Sequence, residues 1–312
     1  MSKRDAVLNL LDAGNSQPYI PAGFFIHFDP AYHFGQAAVD KHLEYFRYTN
    51  MDLVKIQYER NFPYQPNIQK PEDWGKLPLF EKDFFQPQLD AVEGLVKAAK
   101  DEAVVIVTLY SAFMCAGHAT NGLMTEHLKE NPEQAKKGLE IATESLLLFV
   151  KECIKLGVDG FYASTQGGES SRFENKNLFL DYIKPFDLAL MDEINRSCIF
   201  NVLHVCDYKY GYDDLAPFVD YPGHIVNCNP HVGAKILSGQ EISNLFGRPY
   251  MGGLERKGVI STGSQAEVEA EVQHVLQNAP DKFMLAADCT LLPGTSWDNI
   301  KTAIAIAHAY KK

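Results

Sequence analysis

What this chain of 312 residues lacks narrows its function first. No run approaches the ~18 consecutive apolar residues that a membrane-crossing helix needs. The opening segment, Met1 to Asp12, has neither a long apolar stretch nor a small-residue cleavage site, so it reads as an amphipathic helix over about residues 1–14 rather than a secretion signal. Basic charge is in deficit: 29 Lys and Arg against 40 Asp and Glu give a net charge of −11. That balance argues against nucleic acid or an anionic membrane as the main partner. Cysteines 115, 153, 198, 206, 228 and 289 show no short repeated spacing, which excludes a disulfide-stapled scaffold and predicts reduced thiols in a cytoplasmic protein. The glycine pairs 167–168 and 252–253 lack a Gly-x-Gly-x-x-Gly context, so no dinucleotide fingerprint is present.

What is there is a regular alternation. Apolar, β-branched runs predict strands at 22–28, 52–58, 103–110, 158–164, 199–204, 224–228, 249–253 and 283–287. Helical patterns follow them at about 39–49, 87–100, 132–156, 175–195, 213–219, 235–246, 264–278 and 297–310, the seventh opened by the capping-box spacing Ser264-Gln-Ala-Glu267. Eight βα units in this length predict one (β/α)₈ TIM barrel over residues 1–312, with a doubly wound sheet as the alternative. The barrel is preferred because polar residues and cysteines recur where strands finish, and a barrel gathers all eight ends at one mouth. The long loop after the second strand, with Pro63, Pro66, Pro71 and Trp74, is expected to help cover that mouth.

Phe200-Asn-Val-Leu-His204-Val-Cys206 puts an imidazole and a thiol on one side of a strand end, because side chains alternate with period two. Cys289 follows the last strand. Three soft ligands with one open tetrahedral position is a catalytic zinc pattern. With six cysteines and ten histidines, an incidental His-x-Cys is the commoner reading of the bare motif, and placement at two strand ends brings the ligand reading level with it.

The segments Leu203-His-Val-Cys-Asp207, Phe246-Gly-Arg-Pro-Tyr-Met-Gly-Gly253, Tyr182-Ile-Lys-Pro-Phe186 and Asp288-Cys-Thr-Leu-Leu-Pro-Gly-Thr-Ser-Trp-Asp-Asn299 resemble the uroporphyrinogen decarboxylase superfamily. The match is best to its zinc-dependent branch that moves a methyl group from a corrinoid to a thiol. The resemblance implies a uroporphyrinogen decarboxylase-like barrel and zinc on His204, Cys206 and Cys289. It also implies a methylcorrinoid co-substrate, carried on a corrinoid protein as partner, and a small-molecule methyl acceptor. The decarboxylase branch fits less well: its first strand carries arginines for the substrate carboxylates, whereas no arginine lies between Arg4 and Arg47 here. Porphyrinogen decarboxylation and a non-catalytic corrinoid-protein-binding role are the alternatives. Asp207 and Asp288 stand where the methyltransferase pattern has glycine, which bears on what binds at the metal's open position; water there would turn the same site to hydrolysis.

His27, Tyr58, Gln166, Glu169, Asp207 and Glu255 are the candidate substrate-binding residues, each at or just past a strand end. His27 reads equally as a packing histidine among Phe24, Phe25 and Phe28, and the Gln166–Glu169 segment as a plain turn. Cys228 and His231 are alternative metal ligands. Solvation accounts for His118 and His127.

Overall fold

The computed structural model describes residues 2–311 except 13, 15, 16 and 18. Seven parallel strands curl into one sheet: β1 (Leu53–Ile56), β2 (Val104–Tyr110), β3 (Gly160–Thr165), β4 (Val202–Val205), β5 (Ile225–Cys228), β8 (Tyr250–Leu254) and β9 (Phe283–Ala287), in that order. Two short strands, β6 (His231–Val232) and β7 (Lys235–Ile236), form an antiparallel hairpin outside it.

The eighth barrel position is filled by residues 21–23. Leu285 N–H donates to the Pro21 carbonyl, Gly23 N–H to the Leu285 carbonyl and Asp52 N–H to the Ala22 carbonyl, which joins β9 to β1 and closes the ring. The strand expected over 22–28 stops there for a physical reason. The carbonyls of Phe24, Phe25 and Ile26 accept from Tyr45 Oη, Leu291 N–H and Gln57 Nε2 rather than from a neighbouring strand. The buried Asp52 carboxylate fixes the closure by accepting from Ala22 N–H and Tyr19 Oη and facing His308 Nε2 at 2.7 Å.

Alternation divides the apolar side chains into two layers. Leu53, Val104, Ile106, Val202, Ile225, Met251 and Met284 point into the barrel and meet Val7 and Leu10. The N-terminal helix Lys3–Leu8 and its 3-10 extension Asn9–Leu11 thereby plug one end, leaving the carboxyl ends of the strands open. Val54, Ile56, Val105, Val107, Leu203 and Leu285 face the helices. Helix Pro132–Leu156 shows clear stop and start signals, with Asn131 capping, Pro132 in the first turn and Gly157 left-handed at the end.

Two further expectations are corrected. The helix predicted from Lys235 begins at Gly239, behind the Ser238–Glu241 capping box, because Lys235 and Ile236 pair back across a turn at Gly233. Only the start of the Pro-rich loop, Asn61 and Phe62, lines the mouth; the rest does not cover it. Its 3-10 segment Pro71–Lys76 packs on the outside, with Trp74 buried over Gly138 of helix Pro132–Leu156 and its indole N–H donated to His127 Nδ1 at 2.9 Å. His127 is accordingly buried rather than solvated. Among the described residues no helix is long and apolar enough to cross a membrane.

Candidate metal centre

The register of the sheet explains how one strand end supplies two ligands. His204 on β4 pairs with Ser164 on β3 and Asn227 on β5, in the inward-facing parity. Cys206 keeps that parity one residue past the strand, its N–H still donating to the Thr165 carbonyl at 3.1 Å. Cys289 follows β9 across the barrel. The potential ligand atoms of His204, Cys206 and Cys289 lie within 4.8 Å of one another, and all three side chains are buried. Cys289 Sγ is 3.4 Å from His204 Nε2. An imidazole nitrogen and a thiolate on one tetrahedral zinc would stand about 3.6 Å apart, so the donor set and this spacing fit that ion.

The surroundings orient each ligand. Gln166 Nε2 donates to Cys206 Sγ at 3.2 Å, and Tyr212 Oη donates to the Cys206 carbonyl at 3.0 Å. The Tyr162 ring lies against the imidazole of His204, ring centres 4.8 Å apart, while its hydroxyl donates to Asn227 Oδ1. Asn227 in turn donates to the Met251 and Ala287 carbonyls, tying three barrel strands together beneath the site. The contact from Cys206, with His204 and Arg256 nearby, holds the Cys289 thiol well below its usual pKa. The same contact, together with burial, pushes Cys206 up.

The cluster opens on a cavity of about 1130 Å³ at the barrel mouth. Of the sequence candidates, His27, Tyr58 and Gln166 line it. His27 Nδ1 faces Glu59 Oε1 at 2.9 Å, and the Tyr58 hydroxyl is buried without a hydrogen-bond partner among the described groups. Glu169, Asp207 and Glu255 lie off the cavity wall. Glu169 is committed to Arg172 through bonds of 2.5 and 2.6 Å, and it is Arg172 that reaches the wall. Asp207 accepts from Asn229 Nδ2 and faces Arg256 at 3.5 Å; Asp288 accepts from Asn229 Nδ2 and from Arg256 N–H. Asp288 is thus held through both oxygens, whereas Asp207 is held through one and its Oδ1, 3.5 Å from Arg256, has no hydrogen-bond partner among the described groups. Glu255 is exposed and pairs with His231, which removes both from the centre. Cys228 is buried on the helix-facing side, outside the ligand cluster.

Among the wall residues that sequence reasoning missed are Lys55, Tyr162, Arg172 and Arg256. Lys55 carried a usable signal, being the charged residue in the apolar strand Leu53–Ile56, with inward parity set by Leu53. Burial pulls its pKa down to about 7, against the opposing influence of Cys289, Glu59 and Cys206. Arg172 and Arg256 supply permanent cations that the first strand lacks.

Comparison with known proteins agrees with this architecture. The family described as "Uroporphyrinogen decarboxylase (URO-D)" matches residues 37–310. A uroporphyrinogen decarboxylase of Aquifex aeolicus is 22% identical over 224 residues, which are 69% of this chain and 63% of that protein. The chain therefore spans somewhat under two thirds of this relative's length. A methyltransferase from Methanosarcina mazei superposes with a TM-score of 0.79 at 15% identity, covering 98% of both chains. A B12-independent methionine synthase from Shewanella sp. W3-18-1 gives 0.56 at 12% identity, covering 94% of this chain and 97% of its own. Both structural likenesses are of fold.

Proposed function

Since this chain belongs to the uroporphyrinogen decarboxylase family, we propose that it is a zinc-dependent methyltransferase of that superfamily, moving a methyl group from a methylcorrinoid to a small thiol. The observation that carries the reading is the convergence of His204, Cys206 and Cys289 at the barrel mouth, buried yet opening on a cavity large enough for a substrate. Two thiols and an imidazole converging on one point suit a metal-bound thiol better than decarboxylation of a porphyrinogen. A methyltransferase of this fold is among its structural neighbours.

His204, Cys206 and Cys289 would hold the zinc; when bound, it supplies a positive centre at which a thiol loses its proton while the two cysteine thiolates keep the sulfur electron-rich. The chain's own groups prepare that site. Gln166 donates to the Cys206 sulfur, and the Tyr162 ring, tied to Asn227, backs the imidazole. The cavity walls align the acceptor with the donor, which converts an encounter of two substrates into a positioned one. In the transfer, a new sulfur–carbon bond forms as the cobalt–carbon bond breaks, the electron pair staying on cobalt. A corrinoid carried on a partner protein would dock at the same mouth.

The test is to mix zinc-loaded protein with methylcobalamin and a panel of thiols, following loss of the methylcobalamin absorption and formation of the S-methyl product. Zinc-dependent thioether formation is expected. The second reading, porphyrinogen decarboxylation, is favoured by the Aquifex relative and by the guanidinium groups of Arg172 and Arg256 on the wall. Carboxylate loss from a porphyrinogen without methyl transfer would replace the first reading with it.

A further inference from the structure

Lys55 occupies an unusual position. It lies on β1 inside the barrel, almost fully buried yet on the cavity wall. Its Nζ stands 4.4 Å from the ring centre of Phe25 and 4.8 Å from that of Tyr162, the ring that rests on His204. The ammonium donates to one acceptor, Gln57 Oε1, at 2.7 Å. That oxygen is neutral and is shared with Thr108 Oγ1, while the other end of the Gln57 amide is spent on the Ile26 carbonyl. Among the described residues no carboxylate lies within ion-pair distance of Lys55.

One neutral amide and two aromatic faces compensate a buried ammonium only in part, so it is costly, whereas a neutral amine in the same place is not. The titratable groups facing it are few. Glu59, past the end of β1, is engaged by His27. His42, from helix Gly35–Thr49, is held neutral by burial, its Nε2 accepting from Gln57 N–H. Tyr162 lies on β3, and Cys206 and Cys289 approach from β4 and β9. The depression of the amine's pKa to about 7 agrees with this balance. Zinc bound by two thiolates and an imidazole carries no net charge, so a thiolate arriving in the cavity adds one uncompensated negative charge.

We propose that Lys55 is the charge-compensating residue of this site: it takes up a proton when a thiol binds as its thiolate and returns it when the neutral thioether leaves. The inference rests on the zinc–thiol reading above. The balance is simple: the S–H bond of the thiol breaks, the proton is bound by the Lys55 amine directly or through solvent in the cavity, and sulfur keeps the electron pair. The thiolate and the new ammonium then neutralise each other within the barrel, so Lys55 acts as a positioning residue for charge rather than as a group on the reacting carbon.

Proton counting tests this apart from turnover. Zinc-loaded protein in weak buffer at pH 7.5 is mixed with 2-mercaptoethanol, release is followed with a pH indicator against a protein-free blank, and bound thiol is quantified in parallel. Wild type should release clearly less than one proton per thiol bound, because the neutral fraction of Lys55 retains the rest. Lys55→Met, which cannot accept a proton, and Lys55→Arg, which is already charged, should each release about one. Equal release from wild type and either variant overturns the role of Lys55 while leaving the zinc–thiol reading intact. Should neither variant fold, release of a full proton by wild type alone overturns it. Absence of any thiol binding by zinc-loaded wild type overturns both.

Discussion

Cys289 Sγ lies 3.4 Å from His204 Nε2 although 85 residues separate them along the chain. The contact exists because β4 and β9 end at the same mouth of a closed sheet. It makes the ligand set a property of three residues, and metal content should follow them individually. Zinc is expected near one per chain in wild type and in Cys228→Ala, and reduced at least about tenfold in His204→Ala and Cys289→Ala. Elemental analysis after gel filtration checks this; a Cys289→Ala protein with full zinc would remove that residue from the set.

Glu169 and Glu255 look alike in the sequence and should behave oppositely. Glu169→Gln leaves the buried Arg172 guanidinium without its counter-charge, and urea unfolding should show a loss of about 3 kcal/mol. Glu255→Gln alters only an exposed pair with His231. It should leave the unfolding midpoint and the methyl-transfer rate as they are in wild type.

Asp187 gives a pH signature unrelated to the metal. It is buried, accepts from Thr165 Oγ1 at 2.5 Å and Tyr221 Oη at 3.1 Å through one oxygen, and leaves the other unpartnered. Burial raises its pKa to about 7, above the unfolded value, despite both hydrogen bonds. The folded chain thus holds a proton that the unfolded chain has released, so this group's contribution to stability declines as pH rises from about 4 to about 7. Asp187→Asn keeps an acceptor for both hydroxyls and carries no charge. Its melting temperature should exceed that of wild type at pH 8, by a free energy on the order of 2 kcal/mol, and the advantage should shrink toward pH 5. A constant difference across this range would show that Asp187 does not titrate there.

Gly138 is where the outer loop is seated. A Cβ at that position would come within 2.2 Å of the Trp74 indole, whose N–H is bound to buried His127. Gly138→Ala must therefore displace a packed ring, at a cost of about 1–3 kcal/mol. Limited proteolysis should then cut within residues 61–80 faster than in wild type. Zinc content should be unchanged, since the loop segment packs outside the barrel.

The sequence by itself determined the periodicities, and through them the architecture. Alternating and β-branched runs mark the strands, Pro132 and Gly157 bound the longest helix, and the count of βα units favours a barrel whose strand ends converge over a doubly wound sheet. Parity alone put His204 and Cys206 on one face. Tertiary structure decided what no local pattern contains. Closure of the sheet brought Cys289 to His204, and it replaced the ladder of the first strand by bonds from Tyr45, Gln57 and Leu291. Neighbours also settled which polar residues face the cavity. Glu169 and Asp207 were drawn to Arg172, Asn229 and Arg256, since a buried carboxylate must find a donor. Lys55 was left on the wall with one neutral acceptor. A strand's period fixes the side on which a side chain leaves the backbone, but its partners come from other strands, and these are set only when the ring closes.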